Sequence, residues 1–529
     1  MMAKAISHGA KVRLFNYAVW AVALWASALN LLNHHSYPLF SVEVGLLLGG
    51  LGVIAVLIGT LLLVAGERIS FAFSSLFIAI AIDLNMAISM QQFYLLWAAL
   101  AAGAYFGERT LLNLTLAAFG SVLLFQFVAL TTGLGAVSEP DNEAQNRQAE
   151  AGRSTTRPPI VHIVLDSYLG LDGMAVGPDE HRALRAEQMA FFGDRGFQVY
   201  PRAYSRHVKT MNSLPHMFSY GTAPLASTTR NLQYFAPDEL RYFTDLDALG
   251  YRTDAVLAHY LDLCVAQKMV RCRNFDRSAL ASMRGTELSA IDRAAVLAFT
   301  LLQLGNIPSR AAEAIQLGAN DIFGVEGRRP YNRGKLLPLA SLDRFEAFTA
   351  DLADLRNGEV RFAHLLLPHD PYMLTADCRV KPEKSWLDEH GPGEVSERER
   401  GYAEQVRCLT KRIGRMLDTL DRTAAGRDAI VILHGDHGSR ITPIVPYLDG
   451  PRLSEHDILL SHSTFFAMRV PGEPGGTVAG TFALDELMGD FAARDFASAP
   501  RPIERPARYL LMDTEWIPRR WRNLPDFDR

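Results

Sequence analysis

The chain reads as two folds in series. An α-helical membrane bundle fills the first quarter, and an α/β/α sandwich on a mostly parallel sheet follows. Two observations point to this. Apolar runs long enough to span a bilayer crowd residues 1–134 of 529. After residue 160, short apolar runs that do not alternate with polar residues are interleaved with amphipathic stretches, the pattern of strands buried on both faces and covered by helices. The bounds are a membrane domain over 1–134, a linker over 135–159 and an exported domain over 160–529.

In the N-terminal part, Leu14–Leu32, Val42–Ala65 and Leu111–Leu134 are each long enough to cross ~30 Å of hydrocarbon at 1.5 Å per residue. Phe71–Ala87 also qualifies, although it carries Asp83, and Gln91–Phe106 is the shortest of five expected spans. Lys4, Lys11 and Arg13 precede the first span, Arg68 lies between the second and third, and Arg109 between the fourth and fifth. The other two loops, 33–41 and 90–92, carry no Lys or Arg. Basic loops stay on the cytoplasmic side, so five spans put everything after Leu134 outside, in a multi-pass protein of the inner membrane whose C-terminal domain faces the periplasm or cell exterior. A cleaved signal peptide would not be followed by four more spans. Asp83 within an apolar span marks a functional polar contact or a side chain facing a bundle cavity. Gly135–Pro159 is polar and aperiodic, as a linker is.

The net charge of −4 gives no footprint for nucleic acid. All four cysteines, Cys264, Cys272, Cys378 and Cys408, fall in the part placed outside, where an even count favours disulfides. Cys264 and Cys272 could staple one loop and Cys378 could reach Cys408; connectivity is not fixed by sequence. No pair has CxxC spacing.

The exported domain opens with the strand Ile160–Leu165, ending in Asp166. A helix over His181–Arg195 and a strand over Gly196–Tyr200 follow. Further on, a helix over Leu342–Leu355 precedes the strand Val360–Leu367, which ends in Pro368-His369-Asp370-Pro371. A helix over Tyr402–Leu420 feeds the strand Ala429–Leu433, which ends in Gly435-Asp436-His437-Gly438, and Thr464–Val470 forms a later strand. In open α/β sheets, ligands bind beyond the carboxyl ends of the strands. Asp166, Asp436-His437 and His369-Asp370 converge on one such edge, with His456 and His462 just before the last strand. Carboxylates and imidazoles gathered in this way suit a first-row divalent cation. Each cluster alone is as well explained by a polar turn. Between the first two strands and the rest, Tyr204–Gly221 offers the hydroxyls Thr210 and Ser213; such residues at a helix start are ordinarily N-caps, but a nearby metal would make either one a nucleophile.

Taken together, the order strand-Asp, T-x-x-S-L-P-x-x-F-S-x-G, strand-P-H-x-P and strand-G-D-H-G resembles the alkaline phosphatase superfamily. It is most similar to the membrane-anchored sulfatase-like branch of phosphoethanolamine transferases and lipoteichoic acid synthases. The resemblance covers about Pro158 to Gly472. It implies a zinc or manganese ion held by Asp166, Thr210, Asp436 and His437, with Thr210 as nucleophile, His369 on the substrate side, and either His456 or His462 as a further site histidine. It implies that a phospho-substituent, of phosphoethanolamine or phosphoglycerol type, passes from a phospholipid donor through a phospho-Thr intermediate to an envelope glycan or lipid acceptor. The chain departs from the pattern at several places. Arg206 and His216 stand where a cysteine pair often brackets the Thr, Asp166 replaces a Glu, and Gly438-Ser439-Arg440 lacks the Glu common after D-H-G. Ser213-Leu214-Pro215-His216-Met217 lacks the Arg of the sulfatase C/S-x-P-x-R motif, which favours phosphorus over sulfur chemistry. A hydrolase of the same fold and a non-catalytic envelope-binding protein remain as alternatives.

Overall fold

A computed structural model describes residues 2–35, 37–64, 67–86, 90–132, 156–222, 239–258, 279–305, 336–382, 385–390, 394–443, 453–512 and 518–526. It also describes residues 261, 263, 264, 267, 269–274 and 308. The linker expected over 135–159 lies outside the described residues except for its last four. The chain forms two compact units, Met1–Ser138 with Arg277–Arg284 and Leu288–Leu336, and Glu139–Asp276 with Gly285–Glu287 and Leu337–Arg529. A segment drawn from the middle of the exported domain thus belongs to the N-terminal unit, which no sequence signal announced.

The N-terminal unit is helical: α1 (Met2–His34), α2 (Val42–Val64), α3 (Glu67–Met86) and α4 (Met90–Thr132). The separate spans expected at Gln91–Phe106 and Leu111–Leu134 are one continuous helix of 43 residues. No proline interrupts this alanine- and leucine-rich stretch, so the charged Glu108-Arg109 pair does not break it. At 1.5 Å per residue it runs about 64 Å, twice a hydrocarbon core. Among the described residues, Val42–Leu62 and Thr110–Ala129 are long and apolar enough to cross a membrane, and Phe73–Met86 is apolar but shorter. The five-span count is not reproduced.

Apolar side chains such as Val19, Trp20, Ala55, Leu62, Ile78 and Leu112 pack between these helices. A polar ladder crosses the interior: Asn85 Nδ2 donates to Ser27 Oγ (2.8 Å), Gln126 Nε2 to Asn30 Oδ1 (3.0 Å) and Asn33 Nδ2 to Gln126 Oε1 (2.7 Å). Asp83 is fully buried and faces inward; a Cβ on Gly305 would lie 2.9 Å from its Oδ2. The inserted helix Ala290–Leu304 starts with a Ser289/Asp292 capping box. Arg293 reaches Glu43 Oε2 at 3.3 Å, and Tyr37 donates to Glu43 Oε1 at 2.7 Å.

The second unit is a sheet domain. Its strands are β1 (Ile160–Leu165), β2 (Gln198–Val199), β3 (Arg202–Tyr204), β4 (Arg252–Leu257), β5 (Arg271–Asn274), β6 (Glu359–Leu365), β7 (Ile430–Gly435), β8 (Phe466–Arg469), β9 (Gly476–Thr477), β10 (Thr481–Ala483), β11 (Arg508–Met512) and β12 (Pro518–Asn523). Eight of them form one sheet in the order β5-β4-β6-β1-β7-β8-β2-β9. The neighbours β5 to β7 are parallel, whereas β8 runs antiparallel to both β7 and β2. The helices are α5 (Asp179–Gly193), α6 (Thr210–Phe218), α7 (Leu337–Asp351), α8 (Val395–Leu420), α9 (Glu455–His462) and α10 (Leu484–Ala493), together with the helix Arg241–Ala248 and shorter turns. The expected helices and apolar strands are present with bounds shifted by a few residues. β4, β5 and the antiparallel β11–β12 hairpin were not expected, because their Arg- and Asp-bearing sequences carry little apolar periodicity.

β1 and β7 are buried at every position, so apolar residues suit both faces. A core of Ile160, Val164, Phe218, Tyr242, Phe362, Ile432 and Phe466 packs on one face. Cys264–Cys272 and Cys378–Cys408 are both disulfides.

Candidate metal and phosphoryl-transfer site

Register builds the centre of the site. Leu165 pairs with Leu365 on one side and Gly435 on the other, so the residues that follow β1 and β7 leave the sheet at the same level. Those residues are Asp166 and Asp436, both fully buried. Ligand atoms of Asp166, Asp436 and His437 lie within 4.8 Å of one another. His437 Nε2 is 3.4 Å from Asp436 Oδ2 and 3.6 Å from Asp166 Oδ1. His364, the penultimate residue of β6, brings Nε2 to 3.7 Å from Asp166 Oδ2.

The backbone is shaped to hold these carboxylates. Ser167 takes a left-handed φ of 64° and aims its N–H at Asp436 Oδ1 (3.0 Å), while its hydroxyl donates to Asp166 Oδ1 (3.0 Å). Tyr402 of α8 fixes the same turn, accepting from Leu169 N at 2.8 Å and donating to Ser167 O at 3.1 Å. Gly435 and Gly438 serve close approach, since neither has positive φ. A Cβ on Gly435 would lie 2.4 Å from Thr464 Oγ1, and one on Gly438 1.9 Å from Leu460 O.

Thr210 is the first residue of α6, and its hydroxyl does not cap the helix. It donates to Asp166 Oδ2 at 3.2 Å. Ser213, the other candidate hydroxyl, is consumed in structure: it donates to Asp436 O at 2.6 Å and lies 2.9 Å from Ser205 Oγ. Of the two hydroxyls, Thr210 is the one bonded to a carboxylate of the cluster.

The two later histidines separate. His462 is buried, its Nδ1 2.8 Å from Ser205 O, and burial pushes its pKa down to about 4. His456 is exposed on the first turn of α9 and stays out of the cluster. The reason is topological. Because β8 is antiparallel, it begins at the edge where β1, β6 and β7 end, so the residues just before it lie nearer that edge than His456 does.

His369 comes from the loop after β6. Its Nδ1 lies 2.8 Å from Asp370 O and 3.1 Å from Asp370 Oδ1, and its Nε2 lies 3.2 Å from Arg440 Nη2. Burial opposes its charging, but the Asp370, Asp166 and Glu389 carboxylates raise its pKa to about 9. Burial pushes Asp166 upward, yet the His369, His437 and His364 rings hold it well below the carboxylate range. Burial lowers His437.

Several residues of the site were not foreseen. Lys209 is buried directly before Thr210; burial and then the Arg440 charge push its pKa down to about 6. Gln405 of α8 binds the His369 loop, and Glu389 binds Arg440 at 3.1 Å. Behind the site, a buried relay runs from Tyr242 OH to His162 Nδ1 (2.7 Å), from His162 Nε2 to His434 Nε2 (2.7 Å) and from His434 Nδ1 to Gly435 O (2.7 Å). Histidines inside apolar strands, at His162, His364 and His434, were the available signal; they break runs otherwise filled by Val, Ile and Leu.

The cluster fits a divalent cation. Asp436 Oδ2 and His437 Nε2 are buried without a hydrogen-bond partner, and a buried carboxylate oxygen and imidazole nitrogen in that condition call for a cation. Two carboxylates, one imidazole and a hydroxyl form a donor set for zinc or manganese.

No family model and no curated protein matches the chain. Among solved structures it is similar to the phosphonate monoester hydrolase of Agrobacterium radiobacter, with 12% identity over 67% of this chain and 80% of that one and a TM-score of 0.42. It is likewise similar to the C-terminal periplasmic domain of EptC from Escherichia coli (12%, 71% and 96%, TM-score 0.40), and to BT1596, a 2-O GAG sulfatase (12%, 68% and 78%, TM-score 0.40). A further structure of the EptC domain is a complex with Zn. With identities near 12% and TM-scores below 0.5, what the site does is decided by its own residues.

Proposed function

We propose that this protein is a metal-dependent, membrane-anchored transferase that moves a phospho-substituent from a phospholipid donor to an envelope acceptor through a phospho-Thr210 intermediate. The observation that carries the reading is the Thr210 hydroxyl, 3.2 Å from Asp166 beside the buried Asp166/Asp436/His437 group. Asp166, Asp436, His437 and Thr210 would hold zinc or manganese. The ion, when bound, supplies positive charge that lowers the hydroxyl pKa and offsets charge on the phosphoryl oxygens.

The chain's own residues do the rest. Asp166 accepts the Thr210 hydrogen bond and orients Oγ1 toward a phosphorus atom. Thr210 Oγ1, its proton already released to solvent, bonds to phosphorus while the ester bond to the lipid alcohol breaks, and the departing oxygen takes a proton. His369, at the partly open side of the site, is the residue placed to give it. An acceptor hydroxyl then attacks phosphorus, gives its proton to His369 and releases Thr210 Oγ1, returning the site to its starting state. The N-terminal turn of α6 also favours the negative phosphoryl group.

Two helical stretches long and apolar enough to cross a bilayer support anchoring beside a lipid donor, which raises the donor's effective concentration. Placement of the sheet domain outside, in the periplasm or at the cell exterior, is part of the proposal, supported by its two disulfides, which persist in an oxidising compartment.

Thr210→Ala tests the reading in the full-length protein. Loss of turnover of a phosphodiester with metal content retained is the expected result, with a phosphoryl adduct on Thr210 trapped in the wild type by mass spectrometry. Turnover near the wild-type rate would refute Thr210 as nucleophile. Product transfer to water alone would make the protein a hydrolase, and absence of bound metal in a folded protein would favour a binding role.

A further inference from the structure

We propose that the insertion in the middle of the sheet domain is a second attachment of that domain to the N-terminal helices, docked noncovalently on Glu43 and Asp83 and independent of the linker over 135–159. The proposal uses none of the phosphoryl-transfer chemistry above and adds to the anchoring part of that reading.

Between Asp276 and Leu337 of the sheet domain, Arg277–Arg284 and Leu288–Leu336 belong to the helical unit. The chain therefore joins the sheet domain to the helices at the linker and again at both ends of the insertion. The inserted helix Ala290–Leu304 is fixed at its start by the Ser289/Asp292 capping box. In its first turn, Arg293 Nη2 reaches Glu43 Oε2 of α2 at 3.3 Å, while Nη1 donates to Leu288 O at 2.6 Å. Tyr37 donates to the other oxygen of the same carboxylate at 2.7 Å. Glu43 is 2% exposed, and Arg293 supplies the counter-charge that so buried a carboxylate needs.

Along the inserted helix, Val296, Leu297, Thr300 and Leu301 are buried at helical spacing, so one face is covered. At the far end, Gly305 lies against Asp83 of α3. A Cβ there would stand 2.9 Å from Asp83 Oδ2 and 3.0 Å from Pro308 Cδ, so this approach requires a residue without a side chain. Carboxylates in apolar spans are costly and are kept where a partner meets them. Glu43 and Asp83 lie on different helices, yet both meet the same insertion, one at each end. Buried apolar contacts along the helix hold the insertion, and the polar contacts at its ends fix its register.

The test uses the full-length chain with an affinity tag at its N-terminus and a protease site placed between Asp141 and Gln148. After cleavage in mild detergent, the C-terminal fragment, which carries the insertion, should co-purify with the tagged helices. Arg293→Glu, which sets two carboxylates against each other, should lower its recovery at least about fivefold, and Glu43→Arg added to it should restore most of the loss. Gly305→Leu acts at the other end and should lower recovery in the same way. Circular dichroism of each uncleaved variant reports that it folds; if Arg293→Glu does not, Gly305→Leu decides. Three results would overturn the proposal: release of the wild-type fragment on cleavage, recovery that neither Arg293→Glu nor Gly305→Leu lowers, or a charge swap that restores nothing while Gly305→Leu leaves recovery intact. The anchoring reading fails separately, as an uncleaved chain that does not sediment with membranes.

Discussion

Gln405 offers the sharpest test of how the site is held together. Its side chain is fully buried on α8, and all its hydrogen-bonding capacity is spent on one loop. Nε2 donates to Pro368 O (3.2 Å) and His369 O (2.8 Å), and Oε1 accepts from Met373 N (3.1 Å) and Leu374 N (3.3 Å). Gln405→Leu keeps nearly the same volume but strands two backbone carbonyls and two backbone N–H groups. Each stranded buried group costs about 1–3 kcal/mol, and with partial relaxation of the loop the total loss of stability should be about 3–4 kcal/mol. The same change frees His369, and a misplacement of about 1 Å costs on the order of a hundredfold in rate. Asp166, Asp436 and His437 sit at the ends of β1 and β7 and not on this loop, so metal content should hold. The assay pairs urea denaturation with turnover of bis(p-nitrophenyl) phosphate and elemental analysis of the purified protein. Gln405→Glu, which keeps one acceptor oxygen, should fall between Leu and wild type. A stability loss under about 1 kcal/mol with unchanged kinetics would refute the claim that this side chain positions His369.

Other expectations follow from the same geometry. Asp436→Asn should release the metal, measured by elemental mass spectrometry, because it removes a buried charge whose Oδ2 has no hydrogen-bond partner; full retention would contradict the ligand set. Removing Cys378–Cys408, which closes a separation of 30 residues, should cost about 3.6 kcal/mol by loop entropy, against about 2.5 kcal/mol for Cys264–Cys272, with a separation of 8. A reversed order in denaturation of the two double-Ala variants would refute the entropic account. His462 is held neutral by burial with a pKa of about 4, against about 6.5 in the unfolded chain, so its contribution is present above pH 6.5 and is lost as pH falls toward 4. Between pH 7 and pH 5 that loss is about 2 kcal/mol, and His462→Asn should remove it from the pH dependence of urea midpoints.

Much of the site was legible because chemistry-bearing residues sat in recognisable strings. Apolar β-branched runs declared β1 and β7, and Asp166 and Asp436-His437 followed directly from the strand ends. The resemblance pointed to Thr210 over Ser213 as nucleophile, but that Ser213 is tied to Asp436 O at 2.6 Å while Thr210 meets Asp166 depended on packing between distant segments. The choice between His456 and His462 had the same character. Both precede β8, and the antiparallel direction of that strand is a property of the whole sheet that no local pattern encodes.

What the chain's order of residues determined by itself was therefore local: which segments are apolar enough to be strands or spans, and which polar groups end them. Tertiary structure decided what depends on packing between segments distant in sequence. It joined two expected spans into α4, placed the insertion Leu288–Leu336 with the N-terminal helices, and brought Gln405, Glu389 and Arg440 around His369. The physical reason is that periodicity and propensity act over a few residues. Register, strand direction and the pairing of buried charges are set by the free energy of the assembled core, to which every segment contributes at once.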